Sequence, residues 1–520
     1  KSDVLSALVL VNNTKLALGI LPKKILNTLD LSDLDSMYIE ISPKNYQTIT
    51  NYKMNALNEA SLTHFIDPIH KTKVKALIRY KDNDKKEVTI RLKGDNAMEH
   101  LNTPKWSMRI DTIGNDKISS MTKFALQHPQ RRSYIMDFLL GEILRAEGNM
   151  SIKYELVPVY INGLYKGVYN IEEVPGINMV DRISSKEGVI VEFDEENIIR
   201  ERTGFRMSDE WRIVIKPRDQ ETVLEDPQLR KDFLRASYLI TGFQHGDLKA
   251  TDVFDKAKLS IWLAMMDLTG ATHGLTAPNA KFFYDRNKDR ISPIAWDSHN
   301  EGMIESELAN GYYRLNSLYL DRNPYFWSNL FNDKEILESY FKALHKVTDD
   351  GYLDNILSKF DKKLSRYMKT LQIDYPQLTL DFQLDLIRSN QDYIKRVYLY
   401  PKDMFASFIQ NIDTDISVTI KYLKPVPLQI VSLVDIETGN EYFPDKSSLF
   451  IDPVFLDCKN SCNKPRLENE ENIIKLKFLN PHNYVLNHNY KNKFFIKYKV
   501  VGGKVQTSNV YPWGFYLIKK

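Results

Sequence analysis

The run PIAWDSHNEG (293–302) makes an apolar approach to Trp296, then sets down a carboxylate, an imidazole and a carboxamide at Asp297, His299 and Asn300. AKFFYD (280–285) and ISPIAW (291–296) read as two arms of a hairpin about the turn RNKDR (286–290). A turn centred on Lys288 pairs residue 280 with 296, and therefore Asn279 with Asp297. Antiparallel partners lie about 4.5–5.5 Å apart. An amide oxygen and a carboxylate at that separation suit one hard cation such as Mg²⁺, which keeps waters and binds phosphate oxygens. Two polar strand ends would give the same pattern, because Asx residues are common at loop boundaries. Pro293 points to an edge strand or a bulge.

The elements before the hairpin position an acid/base candidate. KLSIWLAMMDLTG (258–270) reads as a helix with Ile261, Ala264, Met265 and Leu268 on one face. It hands over to the loop ATHGLTAP (271–278), which places His273 ahead of Asn279. Protein kinases order similar parts this way: a base in a loop, a metal-binding Asn, then a metal-binding Asp beyond a hairpin.

Cations gather in the first half of the chain. In VTIRLK, Val88, Ile90 and Leu92 face one way and Arg91 and Lys93 the other. In KWSMRI (105–110), Trp106, Met108 and Ile110 oppose Lys105 and Arg109. Neighbouring strands would then present four cations on one face, with Gly94 allowing close backbone approach, which suits a polyphosphate. A solvated sheet face has the same appearance. In QRRSYIMDFLLGEILRAEG (130–148), Glu142 falls within the apolar stripe of Ile135, Phe138, Leu139, Ile143 and Ala146. A carboxylate there calls for a cation, and Lys93, Lys105 or Arg109 would supply one, unless Glu142 reaches water at the stripe's edge.

A chain of 520 residues exceeds one ordinary core, so more than one domain is expected. Hydrophobic residues at 43% and charged residues at 27% describe a globular protein, not a disordered one. With 71 basic against 68 acidic residues, the net charge of +3 gives no reason to expect nucleic acid as a partner. No stretch reaches the roughly 18 apolar residues of a membrane span. KVKALIRY (73–80) with EVTIRLK (87–93), and ELVPVYI (155–161) with LYKGVYNIE (164–172) about Asn162-Gly163, read as hairpins. Residues 324–400 carry helical stripes such as ILESYFKALHKV (336–347). ISVTIKYL, LQIVSLVDI, IIKLKFL and FFIKYKVVG then mark an all-β module.

Several segments together resemble the CotH kinase family of atypical protein kinases. They are RLKGDN (91–96), PKWSMRI (104–110), RRSYIMDFLLGEIL (131–144), VPVYINGLYKGVYNIEEV (157–174), MMDLTGATHGLTAPNAKFFYD (265–285), ISPIAWD (291–297) and NPYFWSNLFNDKEILESYFKALHKV (323–347). VYINGLYKGVYNIEE is the most specific. The resemblance implies an α/β (α+β) kinase-like CotH fold for residues 37–412, while the changes of character along the chain set off a leader at 1–36 and a β-sandwich at 413–520. It further implies ATP and Mg²⁺ as cofactors and phosphorylation of Ser or Thr on secreted or surface proteins. Asp297 and Asn279 then correspond to the metal-binding residues, and Lys105 to the phosphate lysine, with Glu142 inferred as its partner.

The chain departs from the family pattern at three places. His273 stands where many members have an Asp, His299 where many have a second acid, and Lys93 where an arginine is usual. His serves as a base near neutral pH but is a poorer Mg²⁺ ligand than a carboxylate. The departures leave open a catalytically inactive member that acts as an assembly or scaffolding protein. A third reading has the β module bind a glycan through Tyr484, Tyr511 and Trp513.

Lesser signals concern location and the β module. The family and the starting residue Lys1 point to a cell-envelope or secreted location. In an exported protein, Cys458 and Cys462 suit a short-loop disulfide. Adding His482 and His488 gives a zinc-like set with loose spacing. NNT (12–14) is a formal glycosylation sequon.

Overall fold

The computed structural model describes residues 35–63, 66–81, 84–94, 96–114, 116–183, 187–194, 214–275, 279–298, 330–400, 405–412, 415–421, 426–447, 449–451, 473–480 and 494–511. The chain divides into two compact units, one of residues 1–303 with 353–387, the other of 304–352 with 388–520. His299, Asn300, Cys458, Cys462, His482, Tyr484, His488, Trp513, the side chain of Tyr511 and the 12–14 sequon lie outside the described residues. No helix among the described residues is long and apolar enough to cross a membrane.

The first unit is built on a closed barrel of seven strands in the order β1-β2-β3-β4-β5-β8-β7. These are Met37–Glu40, Val74–Arg79, Lys86–Leu92, Met108–Thr112, Lys123–Gln127, Leu164–Glu173 and Tyr154–Ile161 respectively. The expected alternation decides which side each residue takes. Val88, Ile90, Leu92, Met108, Ile110, Phe124, Leu126 and Ile171 fill the interior and are fully buried or nearly so. Arg91, Arg109 and Glu172 therefore share the outer face. The β7–β8 hairpin closes at Asn162 (φ +49°) and Gly163 (φ +79°), as the Asn-Gly pair predicts.

A second sheet has the order β10-β9-β11-β12-β6, from Ile215–Pro217, Gly188–Phe193, Lys281–Asp285, Arg290–Ala295 and Met150–Ser151. Helix α1 (Met136–Ala146) and helix α2 (Lys256–Thr269) belong to the same unit. From Leu259 to Thr269 every residue of α2 is buried, so it is a core helix and not the one-faced helix its stripe suggested.

The β11–β12 register corrects the expected pairing by one residue. Phe282 faces Pro293 and Asp285 faces Arg290, so the ladder directs Asn279 toward Trp296 and not Asp297. Asp285 accepts hydrogen bonds from the backbone of Asn287 (3.1 Å) and Lys288 (3.3 Å). That Asx turn closes the loop with four residues and returns Arg290 to the strand. Pro293 is not on an edge strand: β12 lies between β11 and β6. The β6 ladder engages only Ile294 and Ala295, so Pro293 interrupts no bond to it.

The second unit joins helix Lys334–Val347 to an all-β sheet. That helix buries Ile336, Leu337, Tyr340, Phe341, Leu344 and Val347, the stripe expected at period 3.6. The sheet runs β16-β15-β19-β20-β13-β14-β18, with β17 paired to β15. In chain order β13 to β20 are Phe405–Ile412, Asp415–Lys421, Leu428–Asp435, Glu441–Tyr442, Phe450–Ile451, Ile473–Leu479, Phe494–Val500 and Gln506–Tyr511. β13, which precedes the boundary placed at residue 412, pairs with β14 and is a strand of this sheet.

Candidate active site

The site is assembled along the outer face of the barrel. Strand registers align one lateral row: Arg91 opposite Arg109, Arg109 opposite Ala125, Ala125 opposite Glu172, and Glu172 opposite Tyr154. Cross-strand partners point to the same side, so the row is a direct product of period-2 alternation. Lys93 follows Arg91 on that face just beyond the end of β3, where its N–H donates to the Ser107 carbonyl (3.0 Å).

Glu172 is the acid of the row. Its side chain is 0% exposed and lies 3.3 Å from the Lys93 ammonium and 3.2 Å from the Arg132 guanidinium. Burial alone would raise its pKa. Arg132 and then Lys93 outweigh that and hold the carboxyl below its ordinary value. Burial, resisted by Glu172, lowers Lys93 to about 8. The same ammonium sits 5.5 Å from the centre of the Trp296 ring.

Arg132 gathers the acids around it. Its guanidinium binds Glu172, approaches Asp137 at 3.3 Å and donates through Nη1 to Oδ1 of Asp297. Burial opposes its charge, but Asp297, Glu172 and Asp137 together hold its pKa well above the usual arginine value. Arg132 ends a short 3₁₀ turn, Pro129–Arg132, and the next two residues, Ser133 (φ +45°) and Tyr134 (φ +61°), are left-handed. Asp297 is also left-handed (φ +46°). Non-glycine residues in this conformation cost about 1–3 kcal/mol each and are found where surrounding structure fixes a functional geometry.

The loop with His273 packs against the segment with Asp297. A Cβ on Gly274 would fall 2.5 Å from Ser298 Oγ and 3.2 Å from the Trp296 carbonyl oxygen, so only glycine permits this approach. Asn279 donates through Nδ2 to the His273 carbonyl at 3.2 Å. The loop contact, not the strand pairing expected, thus sets the His273 loop and Asn279 against the segment that carries Asp297.

Two expectations are corrected. Lys105 does not join the row: its side chain is 1% exposed and donates to Asp374 (2.6 Å), the Tyr375 hydroxyl (3.1 Å) and the Val168 carbonyl (3.3 Å). Asp374 also accepts from the Tyr165 hydroxyl (2.7 Å) and the Val168 N–H (2.6 Å). An ammonium with three partners and full burial has no donor for phosphate. Glu142 does not pair with Lys93, Lys105 or Arg109: it binds Arg145, one turn along α1, and Lys363 at 2.8 Å. It lies at the edge of the stripe, and Ala146 is exposed outright. Gly94 has positive φ (+113°), and the His100 ring approaches it closely.

Asn279 and Asp297 carry oxygen donors of the type a hard cation takes. The Asn279 bond uses the amide's nitrogen, so its metal-compatible end is the oxygen. Arg132 engages one oxygen of Asp297, and a carboxylate retains further lone pairs. Among the described residues no group of three His, Cys, Asp or Glu is placed to hold a metal ion. An amide and a carboxylate oxygen are the donor chemistry of a hard cation that keeps waters and takes phosphate oxygens.

The CotH kinase protein family model matches residues 90–404, more than half of the chain. The chain belongs to the CotH kinase family. No curated protein matches it. The match takes in the whole lateral row, Arg132, the His273 loop and Asp297, and it ends just before β13. Within this CotH kinase family member, Arg132 and Glu172 went unassigned in the sequence. Their signal was present, since both lie in the quoted segments RRSYIMDFLLGEIL and VPVYINGLYKGVYNIEEV.

Proposed function

We propose that the chain transfers a phosphoryl group from ATP to a hydroxyl on a protein or glycan acceptor in the cell envelope or outside the cell. Membership of the family supports a kinase-like function, and the setting of the His273 loop and Asn279 against the segment that carries Asp297 supports this chemistry. Asp297 and Asn279 would hold Mg²⁺, which when bound supplies charge stabilisation for the transferring phosphoryl group. Lys93, Arg91 and Arg109 receive the phosphate oxygens, in place of Lys105. Glu172 holds Lys93 in position, as a helix carboxylate does in protein kinases. His273 takes the proton of the acceptor hydroxyl. The barrel and second sheet are the scaffold of a reduced kinase-like fold.

The test is transfer of labelled phosphate from ATP to acceptor proteins and glycans. Asp297→Ala removes transfer, and His273→Ala lowers it by roughly 10²–10⁴-fold, the usual share of general base catalysis. Equal transfer by wild type and Asp297→Ala overturns the assignment.

One observation favours a second reading. The Arg132 guanidinium already neutralises Asp297, so a metal must share or displace it. A member that never binds metal would keep this pair permanently and serve as an assembly protein.

A further inference from the structure

The second unit holds a close joint between its helix and its sheet. The turn between β19 and β20 carries Gly502 and Gly503 and rests on helix Lys334–Val347. Gly502 is left-handed (φ +82°), and a Cβ there would fall 2.7 Å from Lys342 Cγ and 3.1 Å from Lys342 Cα. A Cβ on Gly503 would fall 2.4 Å from Cε1 and 2.6 Å from Nε2 of His345, on the next turn of the helix. Two glycines in succession therefore let the turn lie against the helix itself. Beside them, Gln506 Nε2 donates to the Leu399 carbonyl at 3.1 Å, at the end of the π-helical turn Lys395–Leu399. The helix and the π-helical turn lie within the stretch that the family model matches, whereas β13 to β20 follow it. The joint thus fastens the C-terminal sheet to the family's own part of the chain.

His345 is the ionisable group at the centre of this contact. Its Nε2 is shielded from solvent and has no hydrogen-bond partner among the described residues. As the lone pair of a neutral ring that nitrogen tolerates the position, but an imidazolium would bring a charge and an unanswered N–H against Gly503. Burial accordingly lowers its pKa to about 4. The Tyr400 ring stands edge-on to the imidazole at 6.1 Å. On the helix Lys342 and Lys346 flank His345, Lys342 lying 4.0 Å from Glu338. The β19–β20 turn adds Lys504. Beyond the helix end lie Asp349 and Asp350, and Asp350 pairs with Lys395 and is also drawn by Lys504. Arg396 lies over the Tyr393 ring at 5.8 Å.

We propose that this joint is an acid-released latch: the Gly502-Gly503 turn stays seated on the helix while His345 is neutral, and protonation of the ring lifts it and frees the C-terminal sheet from the helix. A lifted ring regains water and the ordinary imidazole pKa of about 6.5. Below that value the lifted form binds one more proton than the seated form. The seated form therefore loses stability as pH falls from about 6.5 toward about 4, and is indifferent to pH above that window. The latch uses no residue of the candidate active site, so it stands or falls apart from the nucleotide reading.

The experiment measures the distance between spin labels in the full chain as pH falls. The labels sit on ketone-bearing unnatural residues at Glu335, exposed at the helix start, and Val505, exposed beside the turn, so the native cysteines stay untouched. At about pH 7.5 wild type gives one short distance, and below about pH 6.5 the ratio of long to short distances rises by up to about tenfold per pH unit. His345→Phe, which keeps an aromatic ring that takes no proton, holds the short distance down to about pH 4.5. His345→Gln gives the same answer if His345→Phe does not fold. Asp350→Asn, which removes the other acid at the joint, keeps the wild-type response. An unchanged wild-type distance across this range, the same response in the folded His345 variants, or its loss in Asp350→Asn overturns the proposal. So does a response that comes only with loss of β structure by circular dichroism, since that is unfolding of the module and not release of the turn.

Discussion

Lys93 meets its carboxylate on the barrel itself: Glu172 on β8 lies 3.3 Å from the ammonium and is wholly buried. Glu142 on α1 has the position that a kinase comparison would favour, yet it binds Arg145 and Lys363, both more than a third exposed. The two acids should therefore behave differently. Glu172→Gln leaves Lys93 without its buried counter-charge, removes one of the three acids around Arg132, and costs about 3–5 kcal/mol in urea unfolding. Nucleotide affinity falls with it. Glu142→Gln costs about 0–1 kcal/mol and leaves that affinity unchanged. Equal effects of the two substitutions would remove Glu172 from the account.

Lys105 serves the architecture. With Asp374 it joins the barrel to the 353–387 segment of the same unit through a fully buried pair. Lys105→Met strands the Asp374 carboxylate and lowers stability by about 3–5 kcal/mol, whereas Lys105→Met with Asp374→Leu recovers part of the loss. The folded fraction of Lys105→Met still binds nucleotide, measured by calorimetry below the unfolding transition. Loss of nucleotide binding in a variant that is fully folded would return Lys105 to the site.

On the proposed function, Lys93 should make phosphate binding depend on pH. Its pKa of about 8 lies below the ordinary lysine value, chiefly through burial. Between the folded and unfolded values the unfolded chain binds more protons, so this group's contribution to stability rises with pH across that window. Anion affinity moves the other way, because the ammonium is lost as pH rises through about 8. Tripolyphosphate affinity should fall by up to about tenfold per pH unit above that point, and Lys93→Arg should flatten the curve because arginine stays charged. An identical pH profile for wild type and Lys93→Arg contradicts the role given to Lys93.

Gly274 sets the spacing between His273 and Asp297. Gly274→Ala puts a methyl group 2.5 Å from Ser298 Oγ, and either the loop or the segment after Trp296 must shift. A displacement of this kind at a positioned site costs on the order of 10²-fold in rate with little change in stability. Phosphate transfer and thermal unfolding of the same preparation separate the two effects. Wild-type transfer by the alanine variant would show that the contact does not matter.

What the sequence made legible follows the range of each interaction. Asn162-Gly163 and the alternation in VTIRLK are local, and they gave the hairpins, the barrel interior and the shared face of Arg91 and Arg109. The β11–β12 register failed by one residue because an Asx turn at Asp285 tightened the loop, a detail no hydrophobic pattern encodes. Lys105 and Glu142 were misplaced for another reason. Their partners Asp374 and Lys363 lie more than two hundred residues away, and a strand or stripe pattern names a cation's side but not its acid. The segment of Arg132 stood out but its role did not, since that role comes from Glu172, Asp137 and Asp297 converging from three elements.

The central claim is that Asp297 supports a metal-dependent nucleotide site, and calorimetry of ATP binding with and without Mg²⁺ tests it most directly. Wild type should bind ATP more tightly with Mg²⁺, and Asp297→Ala should lose that difference while remaining folded. Mg²⁺-independent binding in wild type, the same Mg²⁺ dependence in Asp297→Ala, or no ATP binding at all would contradict the account.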